Sequence, residues 1–196
     1  MKKLLCMLGI AGIASLPVFA DTQEIVNNNS FETINAKGIP TMWTVNQYFK
    51  KDDKMGTIEV VSEAAQDGKN CLLIKNSSKQ VFHLYGNFVP VTAGDVVKMS
   101  AYVKGKGSFK LALYFYNDQK AWSGTNYPTA EKIENVEWDK KDFSITVPDG
   151  DFKGKGSAAF IRSAIVIDSN SEVFVDNFQG QIEKAPAKEA APAAKE

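Results

Sequence analysis

The stretch DVVKMSAYVKGKGSFKLALYFYND, residues 95–118, consists of two alternating runs on either side of the sequence GKG. Successive side chains of a β-strand point to opposite faces, so each run predicts a strand with two distinct faces. One face of each run is amphipathic, and together these two faces carry three tyrosines. The opposite face is apolar and is expected to pack on a core: Val97, Met99, Ala101, Val103, Phe109, Leu111, Leu113 and Phe115. Whether the tyrosine-bearing face meets solvent, a partner or a ligand is the functional question.

The rest of the chain beyond its N-terminal segment continues this pattern. Runs with a period of two, or continuous apolar runs, recur about ten times along the chain. Turn signals such as DG at 67–68, AGD at 93–95 and PDG at 148–150 separate them. Outside the N-terminal segment, no apolar stretch keeps a helical period over three turns. The predicted fold is therefore all-β, an antiparallel β-sandwich.

Both ends of the chain differ from this strand-rich region. Residues 1–20 begin with basic residues, continue with an apolar run and end in Val18 and Ala20, which predicts a signal peptide cleaved after Ala20 and a secreted or periplasmic protein. The run is too short, and too interrupted by glycine and proline, for a membrane span. Residues 21–183 form the predicted sandwich. Residues 184–196 are rich in Ala, Pro, Lys and Glu and predict a disordered tail through which a protein partner would bind.

Composition excludes several classes of function. Hydrophobic residues make up 44% of the chain, enough for one compact domain with its own core. Cleavage removes two lysines and leaves 21 basic and 23 acidic side chains, a formal charge of −2 that does not favour nucleic acid. It also removes Cys6, so Cys71 is the only thiol and no intramolecular disulfide forms. The aliphatic neighbours of Cys71 in NCLLIKN predict a buried small hydrophobe rather than a reactive thiol.

Six short segments occur in an order that resembles the carbohydrate-binding modules of families 4, 9, 16 and 22, the cellulose-binding C-type group. They are NNNSFET (27–33), IPTMW (39–43), DGKNCLLIKN (67–76), VPVTAGDVVKMSAYVKGKG (89–107), VEWDKKDFSITVPDG (136–150) and SEVFVDNFQGQI (171–182). The resemblance implies a galactose-binding-like jelly roll that binds a polysaccharide or oligosaccharide without catalysis. It also implies packing roles for Trp43 and Trp138. The chain departs from the family at residues 79–88, KQVFHLYGNF, where further aromatic residues and glycines are expected.

The same resemblance implies a structural calcium ion where the first and last strands of the jelly roll lie side by side. There the carboxylates of Glu32 in SFE and Asp176 in VDNF would come together, and two like charges require a cation. Carboxylate and carbonyl oxygens are the ligands that calcium prefers. The backbone carbonyl of Lys69 in DGKN is expected as a further ligand. The alternative is that the two acids are unconnected and solvated.

The tyrosines of the amphipathic face predict a sugar-binding surface, provided that the two runs of residues 95–118 are neighbouring strands. A tyrosine ring stacks on the C–H face of a pyranose, while its hydroxyl and nearby polar groups bond the sugar hydroxyls. The loop NDQKAWSGTNYP after the second run places a tryptophan at the rim. The candidate carbohydrate-binding residues are Tyr85, Tyr102, Tyr114, Tyr116, Asp118, Trp122 and Tyr127. The alternative is that loops or another protein cover this face.

Three functions remain open on the sequence alone. The first is a non-catalytic carbohydrate-binding module, the second is a structural or adhesive sandwich that binds another protein, and the third, less favoured, is a small glycoside hydrolase. His83 is the only histidine, which excludes a His-rich zinc site, and no nucleophile-elbow, phosphate-loop or dinucleotide motif occurs. A glycosidase needs only two carboxylates, so composition does not exclude the third function. Arg162 would either form a salt bridge or bond a sugar.

Overall fold

The computed structural model describes residues 22–46, 56–62, 65–126 and 131–186. The predicted signal peptide, residues 187–196 of the predicted tail and Tyr127 lie outside the described residues. Within them the chain forms strands and no helix: β1 (Thr22–Glu24), β2 (Thr44–Val45), β3 (Gly56–Val61), β4 (Cys71–Asn76), β5 (Phe82–Tyr85), β6 (Val89–Pro90), β7 (Val96–Tyr116), β8 (Trp122–Asn126), β9 (Glu131–Thr146), β10 (Phe160–Ile167) and β11 (Ser171–Glu183). This part of the chain accordingly has no helix that could cross a membrane.

Antiparallel hydrogen bonds join these strands into one strongly curled sheet with the order β2-β5-β10-β7-β11-β4-β3. β1 is added to β11, β6 to β10, and both β8 and β9 to β7. The sheet folds over into two layers. Layer A comprises β1, β3, β4 and β11 with the N-terminal half of β7 and the C-terminal half of β9, and layer B comprises β2, β5, β6, β8 and β10 with the C-terminal half of β7. The predicted antiparallel β-sandwich of the jelly-roll type is confirmed.

One apolar cluster fills the space between the layers. All eight alternate residues of 97–115 that were predicted to face a core belong to it. Trp43 lies in the same core, with its ring centroid 5.7 Å from that of Phe31 and 5.1 Å from that of Phe178, so its predicted packing role is confirmed. Cys71 is fully buried as predicted, and burial raises the pKa of its thiol to about 11, which keeps it protonated at neutral pH.

Residues 96–116 form one strand, not the two neighbouring strands expected from the sequence. The first half pairs with β11 and the C-terminal half of β9, whereas the second half pairs with β10 and β8. The sequence GKG between them is a bend inside the strand, where Gly105 and Gly107 adopt φ values of 122° and 134°. Both halves turn the same alternate residues to the core. Their amphipathic faces therefore lie on the outer sides of different layers.

Candidate functional site

The outer side of layer B carries a group of seven rings, which we call the aromatic face. Directly opposite residues of antiparallel strands share a face, and Tyr116 of β7 lies opposite both Phe160 of β10 and Trp122 of β8. On the same side, Tyr85 of β5 lies opposite Ala164 of β10. The aromatic face consists of His83, Tyr85, Phe88, Tyr114, Tyr116, Trp122 and Phe160.

Small and buried side chains form the floor of the aromatic face. Ala112, Ala164 and Val166 are almost completely buried and form an apolar cluster separate from the main core. Tyr114 belongs to this cluster and is only 6% exposed. Its ring meets that of Tyr85 edge to face, with centroids 5.0 Å apart. Tyr114 therefore supports the other rings and offers little surface of its own to a ligand.

His83 connects the floor to the edge of the aromatic face. Its Nδ1 lies 2.7 Å from the hydroxyl of Tyr114, and its ring stacks on Tyr85 with centroids 5.7 Å apart. Burial, and after it the charge of Lys110, holds the pKa of His83 below its ordinary value, against an opposing effect of Asp168. His83 is therefore neutral at neutral pH, and its imidazole acts here through stacking and hydrogen bonding.

We expect this lowered pKa to make the protein less stable in mild acid. Between the folded pKa of His83 and the ordinary value of about 6.5, the unfolded chain binds a proton at this site that the folded chain does not. The free energy of unfolding should therefore decrease as the pH falls through this window. Urea denaturation of the wild type and of His83→Gln at about pH 5 and pH 7.5 measures the decrease. It should be smaller in the variant, and equal decreases would contradict the prediction.

Arg162 of β10 fixes the segment that carries Phe88. Its Nε donates a hydrogen bond to the carbonyl of Gly86 at 2.7 Å, and a terminal nitrogen donates to Thr44 Oγ1. The guanidinium carbon lies 4.8 Å from the ring centroid of Tyr85 and 5.0 Å from that of Phe88. Of the two roles open from the sequence, a salt bridge of Arg162 does not occur within the described residues. Its charge lies at the aromatic face.

Two rings are the most exposed members of the aromatic face. Trp122 is 49% exposed, yet its Nε1 donates to Thr125 Oγ1 at 3.0 Å and Lys155 Nζ lies 3.7 Å from its ring centroid. Phe88 is 37% exposed and meets Tyr116 edge to face, with centroids 4.8 Å apart. These contacts hold both rings in place, so each presents a preorganised apolar surface to solvent.

Four of the seven predicted carbohydrate-binding residues come together on this face: Tyr85, Tyr114, Tyr116 and Trp122. Tyr102 does not join them, because it lies on layer A opposite Asp176 and Lys140. The expectation that Tyr102 shares one hollow with the other tyrosines is therefore wrong. Asp118 lies exposed in the turn after β7, and Tyr127 lies outside the described residues. A sugar contact by any of these residues stays a prediction.

Sequence analysis does not single out Phe88, Phe160, Lys120 or Lys155, although all four take part in this face. Lys120 Nζ lies 5.3 Å from the ring centroid of Phe88 and 5.2 Å from that of Phe160. Phe160 carries a usable signal, because it precedes Arg162 by two positions in one strand and so shares its face. Phe88 and the two lysines lie in loops, where no alternation indicates a face.

Asp176, a predicted calcium ligand, is a fully buried carboxylate held by backbone amides. Its Oδ2 accepts the N–H groups of Gln66 at 2.7 Å and Asp67 at 2.9 Å. Its Oδ1 accepts the N–H of Asn177 at 2.7 Å. Burial raises the pKa of Asp176 above its ordinary value, and these hydrogen bonds oppose that shift. The carboxylate thus fixes residues 66–67 against the last strand.

Glu32, the second predicted calcium ligand, holds the other end of the same loop. Its Oε1 accepts the backbone N–H groups of Lys69 at 2.6 Å and Asn70 at 2.9 Å, which lower the pKa of Glu32. Carboxylate oxygens are ligands that calcium accepts, so the donor types fit the ion. The arrangement differs from the expected one, because Lys69 contributes its N–H, and the described residues contain no group of three acidic, histidine or cysteine side chains that would hold a metal. Calcium stays a prediction.

Two grooves lie on the outer side of layer A. The smaller, about 420 Å³, is lined mostly by polar side chains of β7, β9 and β11. The larger, about 1110 Å³, contains an ion pair of Lys75 with Glu172 at 3.3 Å and the ring of Phe174. Lys104 lies over that ring at 5.5 Å and over the ring of Trp138 at 4.5 Å. The grooves offer space, but the aromatic face gathers seven rings, and we therefore take that face as the candidate site.

Comparisons with known proteins bear on the fold. No protein-family model matches the chain, and no curated protein matches it significantly. The CBM22-1 xylan-binding domain of Paenibacillus barcinonensis Xyn10C matches with a TM-score of 0.57 and 17% identity, covering 85% of this chain and 97% of that domain. The tandem CBM22-1-CBM22-2 domain of the same protein gives 0.61 and 18%, covering 93% of this chain and 51% of that one.

Enzymes share this fold as well. A Stig cyclase from Fischerella sp. TAU matches with a TM-score of 0.62 and 11% identity, covering 85% of this chain and all of that one (100%). At such identities the likeness shows the fold alone. The chain therefore has the β-sandwich fold of carbohydrate-binding modules, and its function has to be argued from the aromatic face.

Proposed function

We propose that this chain is a secreted, non-catalytic carbohydrate-binding module that holds a saccharide chain on its aromatic face. The observation that carries the proposal is the pair of exposed rings, Trp122 and Phe88, held in fixed positions on one side of layer B. A pyranose has an apolar C–H face that stacks on such rings. Exposed rings grouped on one face are a feature of binding surfaces.

Polar groups beside the rings would serve the sugar hydroxyls. Arg162, Thr44 and His83 lie on the same side of layer B, and Arg162 also contacts the ring of Tyr85. A few polar groups among aromatic side chains are typical of ligand sites, because the rings give affinity and the polar groups give orientation. The fold neighbours include a domain described as xylan-binding, which supports a polysaccharide as the ligand class.

Catalysis is the main alternative, because a cyclase shares the fold. A glycoside hydrolase requires two carboxylates about 5 to 10 Å apart across the substrate. Asp168, at the end of β10, reaches this side of layer B, but it is bound to Lys110 at 3.1 Å and to Ser108 at 2.7 Å. Because Asp168 is already engaged by Lys110 and Ser108, it is poorly placed to act as a catalytic acid or base, which favours a binding function over hydrolysis. Release of reducing sugar from any polysaccharide would establish the hydrolase.

Truncation of the exposed rings tests the proposal. In affinity electrophoresis on a polysaccharide panel, Trp122→Ala and Phe88→Ala should each weaken binding about tenfold, because one stacked ring contributes ~1 to 2 kcal/mol. Tyr114→Ala is less informative, since Tyr114 is buried in the floor and its loss would disturb packing. Circular dichroism verifies that both ring variants are folded.

Tyr102→Ala provides the matched control, because Tyr102 is a half-buried tyrosine of the same strand on layer A. It should bind the polysaccharide as the wild type does. Loss of affinity in Tyr102→Ala, with retention in both ring variants, would place the ligand on layer A. Failure of the wild type to bind any polysaccharide, together with capture of a protein partner through the intact aromatic face, would favour the adhesive alternative.

A further inference from the structure

The aromatic face is surrounded by cations. Lys155 Nζ lies 3.7 Å from the ring centroid of Trp122. Lys120 Nζ lies 5.3 Å from the ring centroid of Phe88 and 5.2 Å from that of Phe160, so one ammonium group contacts two rings. Both lysines come from loops that flank the end of β7 and β8. The cationic side chains at this face are Lys110, Lys120, Lys155 and Arg162.

Two of these cations belong to the strands themselves. Arg162 of β10 lies over Tyr85 at 4.8 Å. Lys110 of β7 lies opposite Val166, and Val166 in turn lies opposite His83, which puts lysine and histidine in one row across the sheet. The positive charge of Lys110 is one reason for the lowered pKa of His83. Positive potential therefore reaches the rings from the strands as well as from the loops.

Within the described residues, few acidic groups pair with these cations. Among the four cations, only Lys110 forms an ion pair within the described residues, with Asp168 at 3.1 Å. The adjoining loops contain Asp118, which is exposed in the turn after β7, and Asp151, whose carboxylate accepts amide N–H groups of its own loop. Asp149 of the same loop is exposed and also has an interaction partner. In the part of the chain that the structure describes, the charges that lie over the rings are positive, although the whole chain balances 23 basic and 23 acidic side chains.

We propose that the ligand of the aromatic face is an anionic saccharide chain, one whose sugars carry carboxylate groups. This inference rests on the proposed function, since it takes a stacked saccharide as given. Lys155 Nζ lies over the indole of Trp122, so a pyranose that stacks there would displace the ammonium group to the edge of the sugar, next to the ring substituents. A carboxylate at that place would form a charge-assisted hydrogen bond with the ammonium group while the sugar keeps its stacking contact. A neutral sugar would keep the stacking and the hydrogen bonds of its hydroxyl groups but would lack this charge-assisted bond.

Positive charge at the rim also predicts how binding responds to salt. Exposed charges attract an anionic polymer over about 10 Å at 0.1 M salt, and the range shortens as salt increases. Electrostatic complementarity of this kind selects the partner and raises the association rate. The affinity for a carboxylated polysaccharide should therefore fall with ionic strength. Stacking on Trp122 and Phe88 depends on salt much less, so the two contributions separate.

Matched polysaccharides that differ in charge test the proposal. Polygalacturonate is compared with its methyl ester, and glucuronoxylan with the same xylan after carboxyl reduction, by calorimetry at low salt with the full chain. The charged member of at least one pair should bind about tenfold more tightly, and the difference should shrink with salt. Equal affinities within the pairs, or binding to neutral polysaccharides alone, would overturn the anionic ligand and leave the module function intact. Binding to none of the polysaccharides would overturn both.

A charge-matched pair of variants locates the effect. Lys120→Gln with Lys155→Gln should lower the affinity for the charged polymer about tenfold more than it lowers the affinity for a neutral polymer. The control is Lys98→Gln with Lys140→Gln, which removes the same charge from the outer side of layer A. Its affinity should stay near that of the wild type. Equal losses in the two double variants would show that net charge, and not the rim of the aromatic face, attracts the polymer, and would overturn the proposal.

Discussion

Replacing Gly107 by alanine should lower the free energy of unfolding by about 3 kcal/mol or more. A Cβ at this position would lie 2.6 Å from the Cα and 2.4 Å from the Cβ of Ser171, the first residue of β11. A backbone atom has no rotamer by which to avoid the contact, so β7 and β11 would have to separate where they approach. The φ of 134° adds strain for any residue with a side chain. The shift of the urea midpoint measures the loss.

Gly150→Ala is the control for this substitution. Gly150 also has a positive φ, 102°, but a Cβ there would meet nothing within 4 Å. The control therefore carries backbone strain without the close contact, and it should cost about 1 kcal/mol. Equal losses in the two variants would mean that strain alone explains the effect and that the approach of β7 to β11 does not restrict residue 107.

Alternation of apolar residues was sufficient to predict the core of this fold, but not its topology. The period of two identifies the core face of both halves of β7, because alternation alone decides which side chains of a strand face the core. Continuity of the strand depends on whether Gly105 and Gly107 make a turn or a bend. Both require positive φ, so the residues GKG are compatible with either. The close approach of Ser171 selects the bend, and that contact is between residues far apart in the chain.

The same distinction explains which site residues were predictable. Tyr114 and Tyr116 lie two positions apart in one strand, and Trp122 follows a short turn, so local sequence relates them. Tyr102 has the same alternation, but it lies beyond the bend and on the other layer. Phe88 is held at the face by the hydrogen bond of Arg162 to the carbonyl of Gly86, two residues earlier, a tertiary contact that no local pattern encodes.

Replacing Asp176 by alanine should lower the free energy of unfolding by about 4 kcal/mol. Three partly buried backbone amides would lose the carboxylate that accepts their hydrogen bonds, and each donor left unsatisfied costs ~1 to 3 kcal/mol. Removal of a buried charge, whose pKa is raised by burial, returns part of this cost. Asp142→Ala is the control, because Asp142 is exposed and its one ion pair among the described residues is with Lys140, so its loss should cost no more than about 0.5 kcal/mol. Similar losses in both variants, measured by urea denaturation, would contradict the role of Asp176.

Either a calcium ion or the amide hydrogen bonds alone could explain why Glu32 and Asp176 both lie at the loop of residues 66–70. The effect of calcium on the melting temperature at different pH values distinguishes these two explanations. If calcium binds as the resemblance implies, adding it should raise the Tm of the wild type by about 5 °C, chelation should reverse the change, and Asp176→Asn should abolish it. Burial raises the pKa of Asp176, and calcium binds the ionised carboxylate, so the gain in Tm should grow as the pH rises through that pKa. If the wild-type Tm does not change with calcium or chelator at any pH, the hydrogen bonds from the amides of residues 66–70 are sufficient to hold Glu32 and Asp176 in place, and the calcium prediction is wrong.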